Sequence, residues 1–326
     1  GMPPLHGPVP GIARSLEVAA AAGGVAAASE LERYSEPLRV LQFNVLADGL
    51  AQNGEFLKCE PVHLEFAYRR PMLEAEIFGL QPHVIGLQEV NRYDDWLREA
   101  LQARGYESRF LQKSPSPCEK FGFPADGCVL AWDAARFELV QLHASSYEGC
   151  TQGSIVATLK ERSENGRMLV AATTHLKAKP EGAPVRRAQA RELGKRLAAA
   201  VATVEGAGAK ADVVLTGDFN EEGGEGVLTA LNDGYGDAGG GTFTNVFSDA
   251  SPNGGFSTWK YRPGKEAGSV KEKREWIDFI LFRGAMSVGS RLSMPTTAQI
   301  GDGALPSREY PSDHLAVGAS LNWGPY

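Results

Sequence analysis

Short apolar, β-branched runs that stop on acidic, amide or imidazole side chains constrain the fold of this chain more than any other feature. The run Asp212-Val213-Val214-Leu215-Thr216 ends on Gly217-Asp218-Phe219-Asn220. Leu38 to Leu46 carries Asn44 within it, and Pro82 to Val90 carries Glu89 after Leu87-Gln88. Thr173-Thr174-His175 closes a run over 168–175. Asp278 interrupts Trp276 to Leu281, and Ser312-Asp313-His314 directly precedes Leu315-Ala316-Val317. Buried strands that deliver polar groups to their ends are the pattern of an α/β sheet with a site at the strand termini. Taken one at a time, each cluster reads as an ordinary turn or a satisfied strand-end residue. Charges within apolar strands are costly unless paired or metal-bound, so six such clusters together point to one polar site.

Between these runs the spacing predicts a helix over 68–80, with Met72, Leu73, Ile77 and Leu80 apolar and Pro71 tolerated only in its first turn. A second helix is expected from Asp94 to Arg104, stopped by Gly105, and a long one from Val185 to Val204. Further strands are expected at 127–132, 137–142, 153–160, 168–175, 212–217, 276–282 and 315–321. Residues 233–275 are Gly-rich and polar and read as long loops around a site. Many strands, some adjacent as hairpins, with three or four helices predict an α/β fold of two packed mixed sheets flanked by helices.

The chain has 326 residues, 43% of them hydrophobic, which suffices for one large domain or two small ones. A net charge of −7 argues against broad coating of nucleic acid and leaves room for a local basic patch. No apolar run approaches the ~20 residues of a membrane span. Cys59, Cys118, Cys128 and Cys150 form no Cys-x-x-Cys pair and read as reduced thiols of an intracellular, cytoplasmic protein, with room for one bridge. Gly1-Met2 reads as a tag remnant. Residues 1–36, rich in Pro, Ala and Gly, are expected to form a flexible or partly helical N-terminal segment, with an Ala-rich helix over 17–36. Residues 37–326 are expected to form the catalytic domain. A truncated N-terminus would leave organelle targeting open.

The residue types at the strand ends suit metal-assisted attack on phosphorus. A hard cation needs oxygen ligands, which Asn44, Glu89, Asp218, Asn220 and Asp313 can supply. His175 and His314 can donate to a phosphate or move a proton. His6, His63, His83 and His143 have no supporting neighbours in sequence.

With those residues in hand, the chain resembles the endonuclease/exonuclease/phosphatase superfamily. The matching pieces are Gln42-Phe43-Asn44, Leu87-Gln88-Glu89-Val90, Thr174-His175-Leu176, Gly217-Asp218-Phe219-Asn220, Ile277-Asp278-Phe279 and Ser312-Asp313-His314, in the family's order over roughly 38–323. Asn44-Val45-Leu46-Ala47, His175-Leu176-Lys177-Ala178-Lys179, Thr258-Trp259-Lys260-Tyr261-Arg262 and Tyr310 to Leu315 resemble the nocturnin-like group of its deadenylase branch.

The resemblance implies a four-layer α/β sandwich and a Mg²⁺-dependent hydrolase of phosphate esters, with Mn²⁺ able to substitute. It implies that Glu89 is the principal metal ligand, with Asn44 beside it and Asp313 near the metal. Asp218 would position or deprotonate the attacking water, and Asn220 and His175 would bind the scissile phosphate. His314 would stabilise the pentacovalent state or move a proton, with Asp278 orienting it. Lys113, Lys179 and Arg262 fall where the group grips phosphates, and position 179 departs from the family's Arg, losing bidentate geometry. Trp259 and Tyr261 would either stack a base or nicotinamide or pack on a strand face. The substrate implied is a nucleotide or dinucleotide, with removal of the 2′-phosphate of NADP(H) favoured over 3′–5′ trimming of poly(A) RNA. The basic stretch from Lys177 to Arg196 keeps RNA open as a partner. Other superfamily phosphodiesterase or phosphatase activities and a non-catalytic RNA-binding role are the remaining alternatives.

Overall fold

The computed structural model describes residues 11–19, 36–163, 166–236, 241–248 and 255–325. Two mixed β-sheets lie face to face. The first runs in the order β1 (Leu16–Val18), β14 (Met286–Leu292), β15 (Val317–Trp323), β2 (Leu38–Asn44), β3 (Val84–Gln88), β5 (Gly127–Asp133) and β4 (Tyr106–Gln112). The second runs β10 (Thr244–Asn245), β13 (Asp278–Arg283), β9 (Ala211–Asp218), β8 (Met168–His175), β7 (Gly153–Glu161) and β6 (Phe137–Ser146). A separate hairpin pairs β11 (Thr258–Pro263) with β12 (Val270–Glu275). Among the described residues, only β2–β3 and β8–β9 are parallel pairs.

Central strands are covered on both sides, which explains their continuous apolar runs. All of β3 is buried, and β9 is buried from Asp212 onward. One face of each looks at the other sheet and the opposite face at helices. The helix Ala183–Gly206 packs on β7, β8 and β9 and against the helix Glu225–Tyr235. On the far side, Leu80 closes the helix Phe66–Gly79 onto β15, where a Cβ on Gly318 would lie 2.9 Å from Leu80 Cδ2. Helix, sheet, sheet and helix make the four layers.

The sheets approach closely at Gly86 of β3. A Cβ there would fall 1.9 Å from Thr216 Oγ1 and 2.8 Å from Thr173 Oγ1, so no side chain fits. This contact lies one step behind the strand ends that carry Glu89, His175 and Asp218.

Several expectations are corrected. The helix expected from residue 68 starts at Phe66, which puts Pro71 in its second turn, where the missing N–H gives up the bond to the Ala67 carbonyl. Residues 94–104 split into a π turn over Tyr93–Leu97 and an α-helix over Arg98–Gln102. The stretch 233–275 is not simply loop: it holds β10 and the β11–β12 hairpin, while 237–240 and 249–254 lie outside the described residues.

Part of the N-terminal segment is ordered against the sandwich. Glu17 lies in β1, paired with Arg291 of β14, rather than in a helix. The rest of the expected 17–36 helix falls mostly outside the described residues. Arg14 is an anchor with its side chain 5% exposed, donating to Ser293 O at 2.8 Å, to Ala316 O at 2.6 Å and to Glu76 Oε2 at 2.7 Å. Residues 11–19 therefore pack as part of the sandwich. All four cysteines are free thiols. Among the described residues no helix is long and apolar enough to cross a membrane.

His83 has a structural place. Its Nδ1 accepts the Arg39 backbone N–H at 3.0 Å and lies 2.9 Å from Arg136 Nη1. Burial first, then the Arg136 and Arg39 charges, push its pKa down to about 3. The unfolded imidazole titrates near ~6.5, so between there and about 3 the unfolded chain binds the extra proton. The His83 contribution is therefore full above ~6.5 and is lost as pH falls through that window. Urea midpoints from pH 7 to pH 4 should fall more steeply in the wild type than in His83→Gln, and parallel curves would refute this.

Candidate active site

Strand register assembles the polar residues. The parallel β8–β9 pair sets His175 opposite Asp218, and the antiparallel β9–β13 pair sets Asp278 opposite the same residue. In the other sheet Asn44 lies opposite Gln88, with Glu89 following directly. An isolated bridge between Thr258 and His314 ties the 312–314 turn to the base of β11. Glu89 and Asn220 leave their strands with φ of 57° and 52°, a region that non-glycine residues rarely occupy. Such strain persists where surrounding contacts fix it, commonly at functional sites.

Asn44 and Asp218 are the hubs. Asn44 Nδ2 donates to Glu89 Oε1 and to Asp218 Oδ2, each at 3.1 Å, while its Oδ1 accepts the Leu46 N–H. Asp218 Oδ1 accepts the Asn220 N–H at 2.9 Å. Asp218 Oδ2 lies 3.6 Å from His175 Nε2 and 3.9 Å from His314 Nε2. Asn220 Nδ2 sits 3.0 Å from His175 Nε2 and donates to Leu176 O at 3.2 Å. His314 Nδ1 meets Asp278 Oδ2 at 2.8 Å, and Ser257 Oγ donates to the same oxygen at 2.7 Å. The predicted residues Asn44, Glu89, His175, Asp218, Asn220, Asp278 and His314 thus converge.

Burial alone would lower the His314 pKa, but the Asp278, Asp313 and Asp218 carboxylates outweigh it and raise it to about 9. Burial opposes ionisation of Asp218 as well, yet the His175 and His314 imidazoles and the Asn44 and Asn220 donors hold it below the ordinary carboxylate range. At neutral pH His314 is therefore an imidazolium between carboxylates.

Glu89 and Asp218 suit a hard divalent cation. Both are oxygen donors that converge on one amide nitrogen, and among the described residues neither forms an ion pair with a lysine or arginine. Asp218, Asp278 and His314 also bring ligand atoms within 4.8 Å of one another. Asp278 Oδ2 and His314 Nδ1 are committed to each other, however, which leaves Glu89 and Asp218 as the carboxylates free for an ion. Asn44 and Asp313, expected beside the metal, make the following contacts. Asn44 turns its nitrogen, not its oxygen, towards the carboxylates. Asp313 Oδ2 is bound to Lys260 Nζ and lies 3.7 Å from Arg262 Nη2.

The outer residues divide. Lys113 shares a small cleft with His175, Cys128 and Gln152. Arg262 stands at the rim over the Phe56 ring, 3.6 Å from its centroid. Lys179 is exposed, and its carbonyl accepts from Arg186 Nη1 at 2.7 Å. Trp259 is corrected: it is 6% exposed, packs on Phe256 and Tyr261 and donates to Glu272, leaving no open ring face. Lys260 was missed, although its place two residues before Arg262 puts both on one strand face. Ser257, Gln42 and Gln88 were given no role of their own, although Gln42 and Gln88 stand inside the motif pieces that carry the resemblance. In the basic stretch Lys177 to Arg196, Arg186 donates to the Lys177 carbonyl and Arg196 to the Ser145 and Ser146 carbonyls, so part of that charge serves the fold.

Known proteins resemble this chain in sequence and in fold. Nocturnin of Rattus norvegicus is 33% identical over 298 residues, covering 86% of this chain and 64% of its own length. The chain thus spans just under two thirds of that relative's length. The 2′,5′-phosphodiesterase 12 of Homo sapiens is 26% identical over 329 residues, covering 88% of this chain and 52% of its own length. The human Nocturnin catalytic domain, solved with a bound sulfate anion, superposes with a TM-score of 0.66 at 28% identity, covering 88% of this chain and 94% of that one. The Endonuclease/Exonuclease/phosphatase family model matches residues 41–314, a span that begins in β2 and ends on His314. A sandwich whose facing strand ends gather three carboxylates and two imidazoles, matched by that model from its first site strand to its last site histidine, places this chain in the Endonuclease/Exonuclease/phosphatase family.

Proposed function

We propose that the chain is a divalent-metal-dependent phosphoesterase that removes the 2′-phosphate of NADP(H), using Mg²⁺ or, in its place, Mn²⁺. The observation that carries this reading is the convergence on Asp218 Oδ2 of the Asn44 amide, which also holds Glu89, and of the His175 and His314 imidazoles, both within 3.9 Å. A bound divalent ion would supply charge neutralisation at the phosphoryl oxygens and lower the pKa of the attacking water. Glu89 and Asp218 would hold it. Asp218 also takes the proton of the attacking water. Asn220 and His175, 3.0 Å apart, bind phosphoryl oxygens and orient the phosphorus for in-line attack. His314, kept protonated and aimed by Asp278, presents its Nε2 proton to the oxygen on which charge develops as the ester bond breaks.

Two features favour a small 2′-phosphorylated dinucleotide. Lys113 beside His175 and the Lys260–Arg262 pair beside Asp313 supply cations suited to several phosphates of one ligand. A related protein is named for cleavage at a 2′ phosphodiester. One observation favours RNA instead: the β11–β12 register puts Lys260, Arg262, Lys271 and Lys273 on a single hairpin face, a line of charge suited to a longer polyanion. Phosphate release from NADPH and adenosine release from oligo(A), measured side by side at equal enzyme with Mg²⁺, decide between the two. The expected result is faster release from NADPH; faster release from oligo(A) would reverse the reading.

A further inference from the structure

Directly behind the site, a line of buried polar side chains runs from one sheet to the other and back. Gln42, Gln88, Thr173 and Asp278 are all 0% exposed. Gln42 Nε2 donates to Asp278 Oδ1 at 3.2 Å and to Gln88 Oε1. Gln88 Nε2 donates back to Gln42 Oε1 at 2.9 Å and to Thr173 Oγ1 at 3.1 Å. Both N–H bonds of each amide are thereby used. The line starts on β8, crosses to β3 and β2, and returns to β13 at the carboxylate that holds His314.

Its electrostatics permit one orientation. Turning the Gln42 amide over would set its oxygen against the Asp278 carboxylate, so the anion dictates which way Gln42 faces. Gln42 then dictates Gln88, whose second N–H is fixed by Thr173. The dependence also runs the other way. Asp278 Oδ2 receives Ser257 Oγ and His314 Nδ1, while Oδ1 receives Gln42. With Oδ1 held from the opposite sheet, the carboxylate plane cannot swing, and Oδ2 stays where it meets the imidazole. Gly86 gives this line its room, because a side chain there would strike Thr216 and Thr173 and separate the sheets.

We propose that Gln42 is a positioning residue for the hydrolysis, acting through Asp278 on His314, and that Gln88 holds Gln42 in place. The proposal rests on the reading of this site as a phosphoesterase. Groups that orient a functional side chain from behind, when removed, cost about 10–100-fold in activity.

Gln42→Met keeps length and apolar volume and removes both donors. It is expected to lower kcat for phosphate release from NADPH with Mg²⁺ by about 10–100-fold while KM moves by less than about twofold, because the loss is confined to the reacting end. In ¹⁵N-histidine NMR, the His314 ring should keep its Nδ1 hydrogen bond in the wild type and lose that signature in Gln42→Met. Gln88→Met should show a smaller loss of the same kind. Thr216→Val is the control: it alters a buried hydroxyl in the same layer that bonds only to the Ala172 carbonyl among the described contacts, and it should leave kcat and the His314 signature unchanged.

A folded Gln42→Met with wild-type kcat and an unchanged His314 signature overturns the proposal. So does a Thr216→Val loss as large as that of Gln42→Met. If Gln42→Met does not fold, the Gln88→Met result decides: wild-type behaviour there overturns the proposal, and the kcat loss with the altered signature supports it. An inactive wild type defeats the functional reading alone, and the His314 signature then decides the positioning role by itself.

Discussion

Glu89→Gln should leave less than about 1% of wild-type turnover on any phosphate ester, because metal assistance supplies several kcal/mol of transition-state stabilisation. The substitution is nearly isosteric and keeps an oxygen to accept from the Asn44 amide, now 3.1 Å from Glu89 Oε1. Backbone strain does not distinguish the two side chains at φ 57°. What changes is charge. Among the described residues Glu89 has no lysine or arginine ion-pair partner, and it is half-buried beside the Asp218 carboxylate. Removing its charge leaves a hard cation one anionic oxygen in place of two. Electron paramagnetic resonance of added Mn²⁺ should show binding in the wild type and none at equal concentration in Glu89→Gln, with the thermal midpoint nearly unchanged. Turnover above ~1% together with undiminished Mn²⁺ binding would remove Glu89 from its role.

The second large effect belongs to the His314–Asp278 pair. His314→Ala should lower kcat by roughly 10²–10⁴-fold, the range for loss of a positioned acid–base group. Asp278→Asn should approach that loss although it is nearly isosteric. The new amide can turn an N–H towards His314 Nδ1, which selects the wrong tautomer, and it no longer supports the imidazolium. Because the two act as one unit, the double variant should be no slower than His314→Ala alone, within about threefold. Multiplied losses would mean that Asp278 acts independently of His314. Single-turnover phosphate release separates this from any change in substrate binding.

Covered central strands made much of the fold readable. Strands such as β3 and β9, buried on both faces, leave unbroken apolar runs in which Glu89 and Asp218 stand out as costly. Edge strands leave no such trace. β4, at one edge, alternates Tyr106, Ser108 and Phe110 with the exposed Glu107 and Arg109, and β14, covered on its outer side only by the short β1, carries Ser287, Gly289 and Ser290, so neither run was visible. The β11–β12 hairpin was hidden for a different reason: it belongs to neither sheet, and β12 is almost wholly charged. Side-chain partnerships were the least legible. Sequence shows Lys260 and Asp313 as two ordinary charges 53 residues apart, and only the fold makes them a pair. Trp259 reads equally as a stacking ring or as strand-face packing, and only the fold shows Phe256, Tyr261 and Glu272 around it. Arg14 lay in a segment read as flexible or partly helical, and its partners Glu76, Ser293 and Ala316 are distant in sequence.

The central claim is that the facing strand ends form one metal-dependent hydrolytic site. Its most direct test is phosphate release from NADPH by protein stripped with a chelator and then titrated with Mg²⁺ or Mn²⁺. The account predicts no turnover after stripping, full recovery in the wild type with either ion, and no recovery in Glu89→Gln at any ion concentration. Turnover that survives stripping, or that Mg²⁺ restores equally in Glu89→Gln, would contradict it.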